Sequence, residues 1–162
     1  MEFYRKSGNR LGLREIPPLL AGLMRQIPGP FDQDNKAVEE RLFPLPSDHP
    51  DEKALREDWK AHVEPELHAL FLSARQVVEA DLRGFREEED GFVLEFSAGH
   101  ADSWLNALNQ ARLSLAAQHH LDESELSRPE PILILSERDL VKFQIHFYAA
   151  LQQWLVEITD IA

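Results

Sequence analysis

The last thirty residues constrain this chain more than any other part of it. Leu140, Phe143, Phe147, Leu151, Trp154 and Ile158 recur at helical spacing. Val141, Ile145, Tyr148 and Leu155 form a second apolar stripe directly beside the first. A helix that is apolar over so wide an arc cannot lie on a surface and has to be covered on several sides. Ser136 and Asp139 supply its start signal, a near capping box with Asp in place of the usual Glu. The rest of the chain is therefore read as the material that covers this rod. With 162 residues, of which 43% are hydrophobic, there is enough for one core and no room for a second. The expectation is a single globular domain over residues 1–162.

The covering elements can be read in order. Phe3 and Tyr4, the turn residues Ser7, Gly8 and Asn9, and the alternating Leu11 and Leu13 predict a hairpin. Pro17 and Pro18 open a helix carrying Leu19, Leu20, Leu23 and Ile27, which Pro28-Gly29-Pro30 stops. A short helix over 35–42 buries Val38 and Leu42. Pro44, Pro46 and Pro50 then make a stiff connector in which Phe43 and Leu45 want cover. From Asp51 to Arg83 the pattern is helical, with Leu55, Trp59 and Val63 on one stripe. Leu67, Leu70, Phe71, Ala74, Val77, Val78 and Leu82 form the next. Pro65 between them predicts a kink or two abutting helices, and Gly84 a stop.

The acidic run Glu87–Asp90 reads as a solvated turn before the strand Phe92-Val93-Leu94-Glu95-Phe96. Ser97 caps a helix whose broad face is Ala101, Trp104, Leu105, Leu108, Ala111 and Leu115. A polar loop follows over 122–131, and the run Ile132–Leu135 is too short to assign to strand or helix. The predicted architecture is α+β and mainly helical. Four to five helices pack around a central C-terminal helix, with a small antiparallel sheet made from the N-terminal hairpin and the strand near 92–96. The C-terminal helix and the Trp104 helix form its core.

Several function classes are excluded or disfavoured. The net charge of −12 repels phosphate backbones, so no nucleic-acid partner is expected. With no cysteine, disulfides, thiolate zinc sites and a cysteine nucleophile are out. No apolar run reaches the roughly 20 residues a membrane helix needs, and the first residues lack a signal-peptide layout. The expectation is a cytoplasmic protein with no membrane partner. Neither a dinucleotide fingerprint nor a Walker loop nor a serine elbow occurs. The zinc-protease pattern is missing too, and no glutamate has a histidine three positions on. No catalytic residue, metal ligand or cofactor is assigned, and the chain reads more as a non-enzyme than as an enzyme.

Three weaker constellations remain. Glu64 and His68 share a helical face around Pro65, but no third ligand joins them, so an exposed polar face is the better reading. His119 and His120, with His100, form the second; adjacent residues point about 100° apart and rarely chelate one ion, so the pair 119/120 reads as groups that stabilise a helix C-terminus. Trp104, Leu108 and Arg112 stack at i, i+4, i+8, with Asn109 one step around. Arg112 should be partly buried against a carboxylate or a set of carbonyls, as a structural brace. The functional alternative makes Trp104, Asn109 and Arg112 a polar notch that receives a ligand, or a partner's carboxylate or C-terminus.

The order of these motifs resembles a known family. A hairpin and a Leu-rich helix precede Arg41-Leu42-Phe43-Pro44 and an acidic stretch. Next comes the helix Trp104-Leu105-x-x-Leu108-Asn109-x-x-Arg112-Leu113-x-Leu115, and last a helix bearing Trp154. This is similar to the uncharacterised bacterial family called domain of unknown function twenty-seventeen. Its actinobacterial members are often encoded beside the ClpS adaptor of the Clp protease. The resemblance implies a bacterial cytoplasmic protein and transfers no catalytic residues. It points to a non-catalytic interaction or accessory module with a protein partner, linked to regulated Clp-type proteolysis. The alternative is an enzyme or small-ligand binder at Trp104, Asn109 and Arg112. The chain is either a monomer or a homodimer whose apolar stripes exceed what one copy can bury.

Overall fold

A computed structural model describes residues 1–29, 35–47, 49–127 and 134–160. The predicted hairpin is β1 (Glu2–Lys6) and β2 (Arg10–Ile16), turning on Gly8 and Asn9 at φ 79° and 57°. Positive φ at both positions is what a tight reversal needs. In β2 the register slips between Leu13 and Ile16, where Glu15 takes φ 54°. This bulge bends the strand and returns Ile16 to the interior. The four antiparallel strands run in the order β1-β2-β4-β3, where β3 is Arg86–Glu88 and β4 is Gly91–Ser97. The solvated turn expected over the acidic run holds only for Glu89 and Asp90, because Glu87 and Glu88 belong to β3. It is an edge strand of three exposed residues, so nothing obliges its sequence to alternate.

Pro17 caps and Pro18 begins α1 (Pro18–Met24), where a missing amide proton costs nothing. Its inward face is Ala21, Leu23 and Met24, with Ile27 in the turn beyond, whereas Leu19 faces solvent. The Asn35 side chain accepts from the backbone of Ala37 and Val38 to start α2 (Lys36–Leu42), which buries Val38 and Leu42 as predicted. The long helical stretch divides at the predicted place. After α3 (Lys53–Asp58) comes one π-helical turn (Trp59–Val63), and then α4 (Glu64–Leu82) with Pro65 in its first turn. The wider π turn accommodates the proline ring without ending the helix.

The middle of the molecule belongs to α5 (Ala101–Gln118) and α7 (Glu137–Asp160). The rod expected at the C-terminus shares that position, because α2, α4 and α7 all pack on α5. Both helices also reach the sheet. Trp104 of α5 stacks on Phe96 with ring centroids 4.8 Å apart, and Trp154 of α7 stacks on Phe3 at 4.3 Å. The Tyr148 hydroxyl donates to the Leu23 carbonyl at 2.6 Å and ties α7 to α1. A second, smaller apolar cluster of Leu121, Val141 and Ile145 lies toward the other end of the α5–α7 seam.

The polar loop expected after α5 contains a further helical turn, α6 (Glu123–Leu126). It is closed by a full capping box between Asp122 and Glu125. Ser136 and Asp139 do start α7, but the Asp139 carboxylate accepts from the Leu135 amide and the Ser136 hydroxyl. Of the undecided run, Ile132 and Leu133 lie outside the described residues. Ile134 and Leu135 are in neither strand nor helix, and Leu135 is 85% exposed.

Candidate functional site

The stretch from Phe43 to Leu72 carries apolar residues at helical spacing, as the core helices do, yet it is covered differently. The second half of α4 lies on α5 and buries Ala74, Val78 and Leu82. Neither α3 nor the π turn has a buried residue. Leu45, Leu55, Leu70 and Leu72 are 39%, 48%, 54% and 48% exposed. Single exposed leucines are ordinary on any surface, but four fall on this one short arm. Leu70 and Leu72, two residues apart on a helix, face roughly 200° apart, so the exposure runs around the arm rather than along one face. The stripes predicted over 55–70 are therefore covered only in part: Trp59, Val63 and Leu67 are half-buried, whereas Leu55 and Leu70 stay exposed.

The arm is anchored at its root. Phe43 lies between His68, with ring centroids 3.8 Å apart, and Phe71 at 5.3 Å. The side-chain amide of buried Gln110, on α5, donates to the Phe71 carbonyl at 3.3 Å. Beyond the root the apolar side chains are rimmed by short-range ion pairs of both signs, Lys36–Glu40 at 3.4 Å and Lys53–Glu57 at 3.5 Å. Two adjoining depressions of about 180 and 260 Å³ share Leu45 and Lys60 in their lining. At the bend, Trp59 is half-buried with its indole Nε1 enclosed and without a hydrogen-bond partner.

The three residues singled out from the sequence do not meet. Trp104 is buried, and its Nε1 donates to Asp81 Oδ2 at 2.9 Å, across to α4. Asn109 is exposed. Arg112 is half-buried on the side of α5 that faces α7, and its Nη1 donates to Gln152 Oε1 at 2.6 Å. Gln152 in turn donates to the Leu105 carbonyl, which closes a brace between the two helices. Of the two expected partners, a carboxylate or carbonyls, Arg112 thus meets an amide carbonyl oxygen. Its enclosed Nε has no partner among the described residues. Burial without a counter-charge pushes the guanidinium below its ordinary pKa.

The histidines are likewise apart. His100 lies before α5, with Nδ1 3.0 Å from Asp81 Oδ2, so one carboxylate serves both His100 and Trp104. His119 and His120 follow the other end of that eighteen-residue helix, roughly 27 Å away. There His120 takes the left-handed conformation that ends a helix, and Arg138 donates to both carbonyls. His68 Nε2 stands 4.0 Å from Glu64. Among the described residues no group of three or more His, Asp or Glu could hold a metal ion.

Sequence reasoning missed the cluster on the outer sheet face. Gly12 has no side chain, and a Cβ there would fall 2.4 Å from Tyr4 Cζ. Tyr4 therefore lies flat across β2 and donates to Glu95 Oε1 at 2.8 Å. Lys6 Nζ reaches the same carboxylate at 2.9 Å. Hydrogen bonds from Lys6 and Tyr4 hold the Glu95 carboxyl below its ordinary range. Burial and the nearby carboxylate push Tyr4 up to about 12. The alternation of Tyr4 with Lys6 and the lone Gly12 opposite were the available signal.

Among the described residues no helix is long and apolar enough to cross a membrane. A protein-family model described as "Domain of unknown function (DUF2017)" matches residues 11–159. No curated protein and no solved structure matches the chain.

Proposed function

This chain belongs to the DUF2017 family, and we propose that it works in the bacterial cytoplasm as a non-catalytic interaction module, with the arm over residues 43–72 as its docking surface. The single observation that carries this reading is the exposure of Leu45, Leu55, Leu70 and Leu72 on an element that is otherwise anchored. Apolar surface of this extent with a rim of charges of both signs suits a protein partner with its own apolar strip. It suits neither a phosphate backbone nor a small charged metabolite. The resemblance of the sequence to relatives encoded beside a protease adaptor makes regulated Clp-type proteolysis the process in which to look.

The test is capture from the native cytosol with the full chain as bait, against a variant carrying Leu55→Ser, Leu70→Ser and Leu72→Ser. The reading expects a defined partner, Clp components being the first sought, that the variant loses while keeping its fold. Equal recovery by both baits, or none above background, would overturn it.

A second reading rests on Arg112, whose charge meets no carboxylate among the described residues. A partner's carboxylate or C-terminus would supply one. Arg112→Gln, which can keep a contact with Gln152 while losing the charge, would then abolish capture with the arm intact.

A further inference from the structure

At the α5–α7 seam, between the main core and the Leu121 cluster, the packing turns from apolar to polar. Ser114 and Gln118 on α5, Gln144 and Tyr148 on α7, and Gln26 after α1 line a cavity of about 80 Å³ in which no lining residue is charged. Part of this polar set is satisfied internally. Gln144 Nε2 donates to Gln26 Oε1 at 3.1 Å and to the Tyr148 hydroxyl at 2.7 Å. Tyr148 spends its own proton on the Leu23 carbonyl. The remainder is not. Ser114 is 1% exposed, and its hydroxyl has no partner among the described residues. The amide oxygen of Gln144 and the amide of half-buried Gln118 make no hydrogen bond within the described chain, and Gln26, whose amide N–H groups are also free, is exposed.

Leaving a buried hydroxyl unmatched destabilises a helix interface that alanine would serve better, so its retention points outside the chain. One water needs only about 10–15 Å³, and a dry cavity of roughly 150 Å³ takes a benzene ring. This one therefore fits a polar group of a few heavy atoms. The uncommitted partners are both donors and acceptors and all neutral, which disfavours an ion and matches a planar group that offers both functions at once. We propose that this cavity binds a primary carboxamide, either a small free amide or the side chain of an asparagine or glutamine in a partner.

The experiment is a titration of the full chain followed by nuclear magnetic resonance, with acetamide as probe and acetate as its charged isostere. Saturable shifts are expected at the Ser114 amide and at the side-chain amides of Gln118 and Gln144, with a millimolar dissociation constant for acetamide. Acetate should bind at least tenfold more weakly, since no lining cation receives it. Ser114→Ala should weaken acetamide about tenfold and leave the fold as stable or more so, because the lost hydroxyl had no partner. Gln118→Leu tests the same loss at a second, less buried position.

A peptide with a central asparagine and its aspartate counterpart assign the source. Tighter binding by the asparagine peptide than by acetamide means a partner's side chain, and binding by acetamide alone means a small amide. A cavity that holds only water would show no saturable shift, equal response to acetamide and acetate, or indifference to both substitutions. Any of these outcomes overturns the proposal. The arm variants of the interaction reading should bind acetamide normally, so the two proposals fail separately.

Discussion

Two tryptophans on two amphipathic helices meet opposite fates. Trp104 is 2% exposed, stacked on Phe96, with its indole N–H paired to Asp81. Trp59 is half-buried on the π turn of the arm, its N–H enclosed and unpaired. In sequence the two helices look equally committed to burial. Apolar periodicity identifies which face of a helix avoids water, but not what covers that face. For α5 the cover is the sheet, α4 and α7. For the arm, Leu45, Leu55, Leu70 and Leu72 stay 39–54% exposed, while Trp59 is only half-buried.

The sharpest test of that contrast is truncation of each indole. Trp104→Ala should destabilise the fold by about 3–5 kcal/mol, the usual range for a large aromatic removed from a packed core. Trp59→Ala should cost only about 1 kcal/mol, near the centre of ordinary substitutions. Urea unfolding of both variants measures the difference. Equal losses would mean that the arm is a second core, and the contrast would collapse.

A smaller effect should follow from Asp81. Asp81→Ala leaves the Trp104 indole N–H buried without an acceptor and frees His100, so a loss of about 1–3 kcal/mol is expected. Asp81→Asn keeps an acceptor and should recover part of it. If the two variants are equally stable, the carboxylate is not what holds α4 against α5 at this point.

The contrast also marks where reading the sequence stops working. Local signals were sufficient for the hairpin, because Gly8 and Asn9 sit where a reversal needs positive φ. They were sufficient for the break at Pro65 and for the apolar faces of α5 and α7, since each depends on neighbours in the chain. Strand β3 was not legible: three exposed edge residues carry no pattern, and only their pairing with β4 makes them a strand. The turn α6 was legible in principle, from Asp122 and Glu125 at capping-box spacing. The fate of Trp104, Asn109 and Arg112 was not. Helical spacing placed Trp104 and Arg112 on one side of α5, but α4 claims the first and α7 the second, over sequence separations that no local pattern reports. The polar cavity was hidden for the same reason, because Ser114 and Gln144 become partners of one space only when two helices meet.

On the outer sheet face the charged cluster gives a pH signature that the arm should lack. Glu95, with its side chain 10% exposed, is held below the ordinary carboxylate pKa. Its contribution is therefore complete above the unfolded value of about 4.3 and is lost as pH falls through the lower folded value. Tyr4 is raised to about 12, so its contribution is complete below the unfolded value of about 10 and is lost as pH rises through the folded one. Glu95→Gln should cost on the order of 1 kcal/mol at neutral pH and flatten the acid limb. Tyr4→Phe should flatten the alkaline limb. An unchanged acid limb in Glu95→Gln would show that the loss of stability below the carboxylate range arises elsewhere.

The smallest change in stability should come from the arm itself, and it is the one on which the comparison most depends. Leu55→Ser, Leu70→Ser and Leu72→Ser each remove apolar surface that is already about half in water. Surface substitutions of this kind usually fall within about 0.5 kcal/mol of neutral. Replacing an exposed leucine also reduces exposed apolar surface, so solubility should rise even as stability stays flat. A core role and a docking role therefore separate on two axes: the first predicts a large loss in urea unfolding, the second none. Differential scanning calorimetry of the triple variant decides between them. A melting temperature that falls far more than three exposed sites can explain would place these leucines in an interior, and the arm would then be part of the fold after all.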